Sequence, residues 1–283
     1  MSSNLRTLGP QETLVVLSFS EEGRDVVEAR DVIRLLGSER KARKVIYNLL
    51  RKGWFSRLIG GRYMLIPSER GSENIGENNP LALATAAIQP SYIAWWSAAS
   101  FHGFTTQKPM TISVAVLRAS VARVIEGTEV KFVKIPEYKF FGFEDYEVYG
   151  RKVAISDAEK TVIDCINHPD LSGGSAELVR IVSNAMAEID TKKLVRTALK
   201  MKSVSLLQRL GFLTDFVKKP LPDKLRDKIR KKIPKSSRSI FGRPMRKEDD
   251  IGYISAWGLI VHARREDLLA EVPQIKYSGS ESC

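Results

Sequence analysis

Between residues 24 and 67 the chain reads RDVVEARDVIRLLGSERKARKVIYNLLRKGWFSRLIGGRYMLIP, and its hydrophobic positions there recur with helical spacing. Ala42, Val45, Ile46, Leu49 and Leu50 stand at i, i+3, i+4, i+7 and i+8, which makes one apolar stripe down a helix. Arg40, Lys44, Tyr47 and Arg51 then face the other way. Gly37 suits the left-handed end of a preceding helix, and Ser38 suits the first cap of the next, where its hydroxyl accepts a backbone N–H. Two short apolar runs follow, Trp54, Phe55, Leu58 and Ile59, then Tyr63, Met64, Leu65 and Ile66. The Gly60-Gly61 pair between them is a hairpin signal. Helix, turn, helix, hairpin is the order of a winged helix-turn-helix.

The pattern extends to both sides of this segment. Residues 11–19 carry another helical stretch, with Pro10 suited to its opening turn. The run SERGSENIGENNP at 68–80 has almost nothing apolar and reads as a connection, which places a domain boundary near residue 75. Beyond it, 81–88 and 92–103 read as helical, and 111–117, with its β-branched residues, as a strand. Further strands are expected at 121–125, 130–135, 145–149 and 152–155. At Ser156 the period changes: Ser156 and Glu159 form an S-x-x-E capping box, and Val162, Ile163 and Ile166 supply the apolar face of the helix it starts. Helices are predicted over 176–188, 191–200, 203–216 and 223–232, a strand over 253–262 and a short helix over 266–270. The expectation is an α+β protein: a winged helix-turn-helix over 1–75 and a larger mixed domain over 76–283.

Charge sharpens this picture. The chain of 283 residues carries a formal net charge of +12, and 43% of it is hydrophobic, enough for two cores. Residues 38–62 hold eight Lys and Arg against Glu39 alone, and residues 192–247 hold nineteen against three Asp, so the remainder of the chain is net acidic. Two separate cationic stretches fit a polyanion, whose condensed counterions they would displace. No apolar run approaches the ~20 residues that span a bilayer, and no leader pattern opens the sequence, so a cytoplasmic protein is expected. Cys165 and Cys283 have neither zinc spacing nor a disulfide framework and read as unpaired thiols.

Catalytic chemistry finds little support. His102, His168 and His262 stand far apart and outside any metal motif, and Gly60-Gly61 and Gly173-Gly174 are not phosphate-cradling loops. Asp157, Glu159, Lys160 and Asp164 have the letters of a metal-dependent nuclease. On a helix, however, Asp157 and Glu159 face different ways, and helix capping with an i,i+4 pair of Lys160 and Asp164 accounts for the same letters. Tyr92, Trp95, Trp96 and Phe101 read as core. No enzyme activity, metal or cofactor is expected.

The residues set to meet duplex DNA are Ser38, Arg40, Lys41, Arg43, Lys44, Tyr47, Asn48 and Arg51 on the second helix, with Arg57 and Arg62 flanking the hairpin tip. Arg and Asn read base edges while the lysines hold phosphates. Lys224, Lys228, Arg230, Lys231 and Lys232, in a stretch where Leu225 and Ile229 give a narrow apolar stripe, mark either a solvated helix or a second surface for nucleic acid or an acidic partner.

Two later stretches, YIAWWSAASFHGFTTQKPMTISVAV at 92–116 and VAISDAEKTVIDCINHP at 153–169, resemble the AbiEi-type antitoxins of type IV toxin–antitoxin systems. The resemblance is carried by Tyr92, Ser97, Ala98, His102, Gly103, Thr106, Gln107 and Pro109, by Asp157, Glu159, Lys160, Thr161 and Asp164, and by Trp257-Gly258-Leu259. It implies a repressor of its own operon that binds inverted repeats, a geometry suited to a homodimer on DNA, and opposes a toxin of nucleotidyltransferase fold without a stable complex. Lys and Arg from 218 to 247 are denser than that family suggests. The alternative is a stand-alone DNA-binding regulator or an interaction protein whose basic C-terminal domain binds nucleic acid or an acidic partner.

Overall fold

The computed structural model of the chain describes residues 6–70 and 79–270, and it is a mixed α+β protein with three sheets. Two compact units emerge, and they are not consecutive halves of the sequence. Unit 1 takes the described residues of Met1–Ile93, Met110–Ile135 and Asp145–Ala154, and unit 2 those of Ala94–Pro109, Pro136–Glu144 and Ile155–Cys283. The boundary expected near residue 75 lies outside the described residues.

Unit 1 begins with helices α1 (Pro10–Glu21), α2 (Ala29–Leu36) and α3 (Glu39–Arg51) and three short strands, β1 (Val26–Glu28), β2 (Phe55–Arg57) and β3 (Arg62–Leu65). The strands pair antiparallel in the order β1-β3-β2. Gly37 ends α2 with a left-handed φ of 66°, which a Cβ would disfavour, and Ser38 accepts the Lys41 amide at 3.4 Å to open α3. One core closes these elements. Val15, Val16 and Phe19 of α1, Val32 of α2 and Ala42, Val45, Ile46 and Leu49 of α3 meet Trp54, Phe55 and Leu65, with Leu50 only partly buried. Strand β1 departs from the sequence expectation. Three residues carry no readable period, and Val26–Glu28 are extended because β3 supplies their hydrogen bonds.

The same unit continues with α4 (Pro80–Ala87) and a six-stranded mixed sheet of β4 (Ser91–Ile93), β5 (Thr111–Val116), β6 (Arg123–Ile125), β7 (Thr128–Lys134), β8 (Phe143–Val148) and β9 (Arg151–Ser156), ordered β6-β7-β5-β4-β9-β8. The first two residues of β8 and the last two of β9 belong to unit 2. Strand β5 pairs parallel with β7 and antiparallel with β4. It is buried at five of six positions, Ser113 included, whereas β7 alternates. Polar ties then bind this layer and α4 to β3 and to the turn before β1. Arg151, 5% exposed, donates to the Leu65 carbonyl at 2.6 Å and pairs with Asp25, and Arg62 donates to the Ala87 carbonyl at 3.1 Å. Buried Asn79 caps α4 through the Ala82 amide and donates to the Val148 carbonyl at 2.7 Å.

Unit 2 packs α5 (Trp95–Phe101), α6 (Ala158–Asn167), α7 (Ser175–Ala185), α8 (Thr191–Lys200), α9 (Val204–Phe216), α10 (Asp223–Arg230) and α11 (Arg265–Leu269) with a small sheet. That sheet consists of β10 (Ser239–Gly242), β11 (Gly252–Ile254) and β12 (Leu259–His262) in the order β10-β12-β11. Leu206, Leu207, Leu210 and Leu213 are buried along α9 as their spacing predicts. Two expectations are corrected: residues 92–103 open as a strand before turning helical, and 253–262 break into two strands at a turn. Strand β10 forms in a stretch for which no element is expected.

Helix α6 is buried at eight of its ten positions. Its cap is Asp157, which accepts the Lys160 amide at 2.7 Å, one residue later than the capping box places it. Ser156 instead joins Thr161 at 2.6 Å, and Glu159 accepts the Asp190 amide and pairs with Lys193 at 2.8 Å. Lys160 is fully buried and its ammonium meets the Asp164 carboxylate at 2.5 Å. Losing one partner of such a pair strands a charge at about 3–5 kcal/mol, while replacing both with apolar groups of similar volume is close to neutral. Asp164→Ala should therefore destabilise strongly in chemical unfolding, and Lys160→Met with Asp164→Leu should recover most of that loss. A double variant as unstable as the single one would contradict this account.

Candidate nucleic-acid interface

Burial of the α3 stripe turns the remainder of that helix outward. Arg40, Lys41, Arg43, Lys44, Tyr47 and Arg51 are all exposed, Tyr47 at 62%, which is high for a large aromatic and leaves its ring facing solvent. Arg40, Lys44, Tyr47 and Arg51 follow one another at i, i+4, i+7 and i+11 and line a single row. Arg43 closes on Glu39 at 2.5 Å, one turn earlier, so the one acid on this face is neutralised by a neighbour. Arg57, at the end of β2, is exposed on the hairpin beside α3. Ser38 is half-buried at the cap. Helices α2 and α3 and the hairpin border a crevice of about 330 Å³, with Ile33, Ala42, Ile46 and Tyr63 among its walls and Arg43, Tyr47 and Arg57 on its sides.

Two residues of the expected set are engaged inside the protein instead. Asn48, half-buried, hydrogen-bonds the Glu12 side chain. Arg62 is half-buried, with one guanidinium N–H on the Ala87 carbonyl and its Nε shielded from solvent. Lys52, one of the eight cations of the stretch, reaches Glu12 across α1 at 2.5 Å. Helical spacing carries a trace of this: Lys52 lies seven residues after Val45 and three after Leu49, on the inner side. Nothing local marks Arg62, because its partner is twenty-five residues away. The hairpin tip is likewise engaged, the Gly61 carbonyl accepting the Ala29 amide at 2.9 Å where α2 begins.

Elsewhere the chemistry-bearing side chains serve the scaffold. The residues that carry the antitoxin resemblance in unit 2 form a polar lattice around α6. His102 bonds the Ser156 carbonyl at 2.7 Å, Thr106 accepts from Arg180 at 2.8 Å, and Asp157, Glu159, Lys160, Thr161 and Asp164 hold the contacts given above. His168 is packed edge-on to Trp95, with burial lowering its pKa, and His262 bonds the Arg243 carbonyl. Cys165 is a free, fully buried thiol whose pKa burial pushes up to about 12. Among the described residues, no three His, Cys, Asp or Glu gather where a metal could be held, and no helix is long and apolar enough to cross a membrane. Lys224, Lys228, Arg230, Lys231 and Lys232 are all exposed on or just after α10, whose Ile229 is buried.

The molecule is thus an α+β protein with one helix presenting a cationic face and a second cationic surface in unit 2. No family model matches its sequence, and no curated protein does. Among solved structures it is similar in fold to the RV2827C protein from Mycobacterium tuberculosis, with a TM-score of 0.64 at 20% identity over 95% of this chain and 97% of that one. At that identity the likeness concerns the fold alone.

The Glu12 contact that anchors α3 is sensitive to acid. Burial works against the Glu12 carboxylate, but the Gly9 amide, Lys52 and Asn48 outweigh it and hold its pKa below the ordinary value. A carboxylate depressed in this way contributes stability that is present above about pH 4.3, the ordinary glutamate value, and lost as pH falls through the lower folded value. Glu12→Gln should lower stability at neutral pH and flatten the loss below pH 4.3. An acid-unfolding curve with the wild-type slope would show that the contact contributes nothing.

Proposed function

We propose that this protein is a DNA-binding transcriptional repressor and antitoxin of a type IV toxin–antitoxin system, in which α1 to β3 act as a winged helix-turn-helix. Helix α3 enters the major groove and the β2–β3 hairpin with Arg57 lies beside it as the wing. The observation that carries the reading is the outer face of α3, where Arg40, Lys41, Lys44, Tyr47 and Arg51 stand exposed around one acid that Arg43 already neutralises. Guanidinium forks on Arg40 and Arg51 match paired acceptors on guanine edges, and the lysines bind phosphates without regard to sequence. Asn48 and Arg62 leave the contact set, since both are engaged within unit 1.

The antitoxin half of the reading rests on the residues at 92–116 and 153–169 that resemble AbiEi-type antitoxins. A cytoplasmic location follows from it, as does a nucleotidyltransferase-like toxin as the functional counterpart. A stand-alone regulator gripping DNA through α10 as well is the second reading, favoured by the five exposed cations there.

Full-length protein is the right material for the test, because Arg151 and α4 supply contacts to β3 and Arg62 that an isolated N-terminal piece would lack. Duplex DNA from upstream of its own gene should bind with a steep salt dependence. Base contacts are worth ~1–3 kcal/mol each, so Arg40→Ala with Arg51→Ala should weaken operator binding at least about thirtyfold while leaving the unfolding midpoint unchanged. Binding retained by that variant at moderate salt would move the interface off α3. Co-expression with the product of the adjacent gene should restore growth in both wild type and variant, and failure of the wild type to do so would remove the antitoxin reading.

A further inference from the structure

Unit 2 holds a cavity that the DNA-binding reading does not use. The last turn of α10, the loop after it and the turn from β11 to β12 border an open cleft of about 400 Å³, within the range of ~300–1,000 Å³ typical of small-molecule sites. Arg230, Lys235 and Arg238 line it, no carboxylate does, and none of the three pairs with one among the described residues. Such a site repels cations and attracts anions. It selects an anion carrying more than one charge.

Its walls are aromatic and held in place. Trp257, 2% exposed, lies flat on α9 at Gly211, where a Cβ would collide with the indole ring. Glycine inside a helix costs ~1 kcal/mol relative to alanine, and this close approach accounts for its presence. The indole N–H donates to Asp215 at 2.8 Å, and the Arg226 and Arg230 guanidinium groups lie over the ring at 5.2 and 5.0 Å. Opposite, the half-exposed Tyr253 carries the Arg238 guanidinium 5.0 Å over its ring. Arg238 is anchored by donating to the Lys235 and Ser237 carbonyls at 2.9 and 2.8 Å. The arginines are therefore aimed by rings and carbonyls. A merely solvated basic surface needs no such arrangement.

Guanidinium forks fit phosphate, and an arginine stacked on an exposed tyrosine extends a flat platform that suits a nucleobase. We propose that this cavity binds a nucleoside phosphate, with its phosphates on Arg230, Lys235 and Arg238 and its base on the Tyr253–Arg238 stack. A free nucleotide and the terminal nucleotide of a single strand offer the same chemistry. A base stacked and paired within a duplex does not, so this site is distinct from the face of α3.

The test titrates the full chain with ATP, GTP, CTP and UTP, with a short 5′-phosphorylated single-stranded oligonucleotide and with pyrophosphate, following heat or tryptophan emission. Saturable binding of nucleotides marks a free-nucleotide site, and binding of the oligonucleotide alone marks a strand-end site. Arg230→Ala with Arg238→Ala should weaken either at least tenfold, and Tyr253→Ala should weaken both without altering pyrophosphate binding. Lys235→Glu reads the same site should loss of Arg230 disturb the indole. Arg40→Ala with Arg51→Ala should leave nucleotide binding unchanged, which separates this proposal from the operator reading. No saturable binding, unchanged binding in the arginine and lysine variants, or pyrophosphate binding as tightly as the nucleotides would overturn it.

Discussion

The direction of every charge on α3 depends on four small or branched side chains. Ala42, Val45, Ile46 and Leu49 are sealed against α1 and the β2–β3 hairpin, and the helix cannot roll without returning them to water. Lys52 and Asn48 lock the C-terminal end of the same helix to Glu12. What remains outside is a row of cations, with Tyr47 among them, on a helix held in place by its packing. A flexible basic segment would have to be ordered on binding, whereas this face is ordered beforehand.

That face is supported from far along the sequence. Arg151 opens β9 and is almost wholly buried, yet its guanidinium finds the Leu65 carbonyl and Asp25, so the elements around α3 are braced by the six-stranded sheet within one unit. Arg62 makes the reciprocal contact with α4. Arg151 satisfies a carbonyl at the end of strand β3, and Arg62 one at the C-terminal end of helix α4. The consequence is that the proposed DNA-binding element is tied to the sheet, although Arg151 lies eighty-six residues after Leu65.

The two cationic stretches differ in kind. On α3 the cations occupy a bare helical face, as phosphate backbone contact requires. At and after the end of α10 the Arg230 and Arg238 guanidinium groups lie over the Trp257 and Tyr253 rings beside an open cleft, which suits a small planar anion. In the core of unit 2, Asp157, Glu159, Lys160 and Asp164 are consumed by capping and ion pairing around α6. Letters that look like hydrolytic chemistry are there the polar skeleton of a buried helix.

Elements whose information is local could be read from the order of residues. Helices α1, α3, α8 and α9, the Gly37 and Ser38 caps and the alternation of β7 depend on periods and caps that a few neighbours specify. Strands β1 and β10 could not be read, because three or four residues carry no period and are extended only when a partner offers a ladder. The division into compact units, the inward turn of Asn48 and Arg62, the shift of the α6 cap from Ser156 to Asp157 and the cavity beside Trp257 also escaped. Apart from the cap shift, which turns on neighbours three to five residues apart, these rest on contacts between residues distant in sequence, Arg62 with Ala87 or Trp257 with Gly211. Residue order specifies which side chains are charged or apolar and at what spacing, but which charges find a partner is set by how the packed elements meet in space.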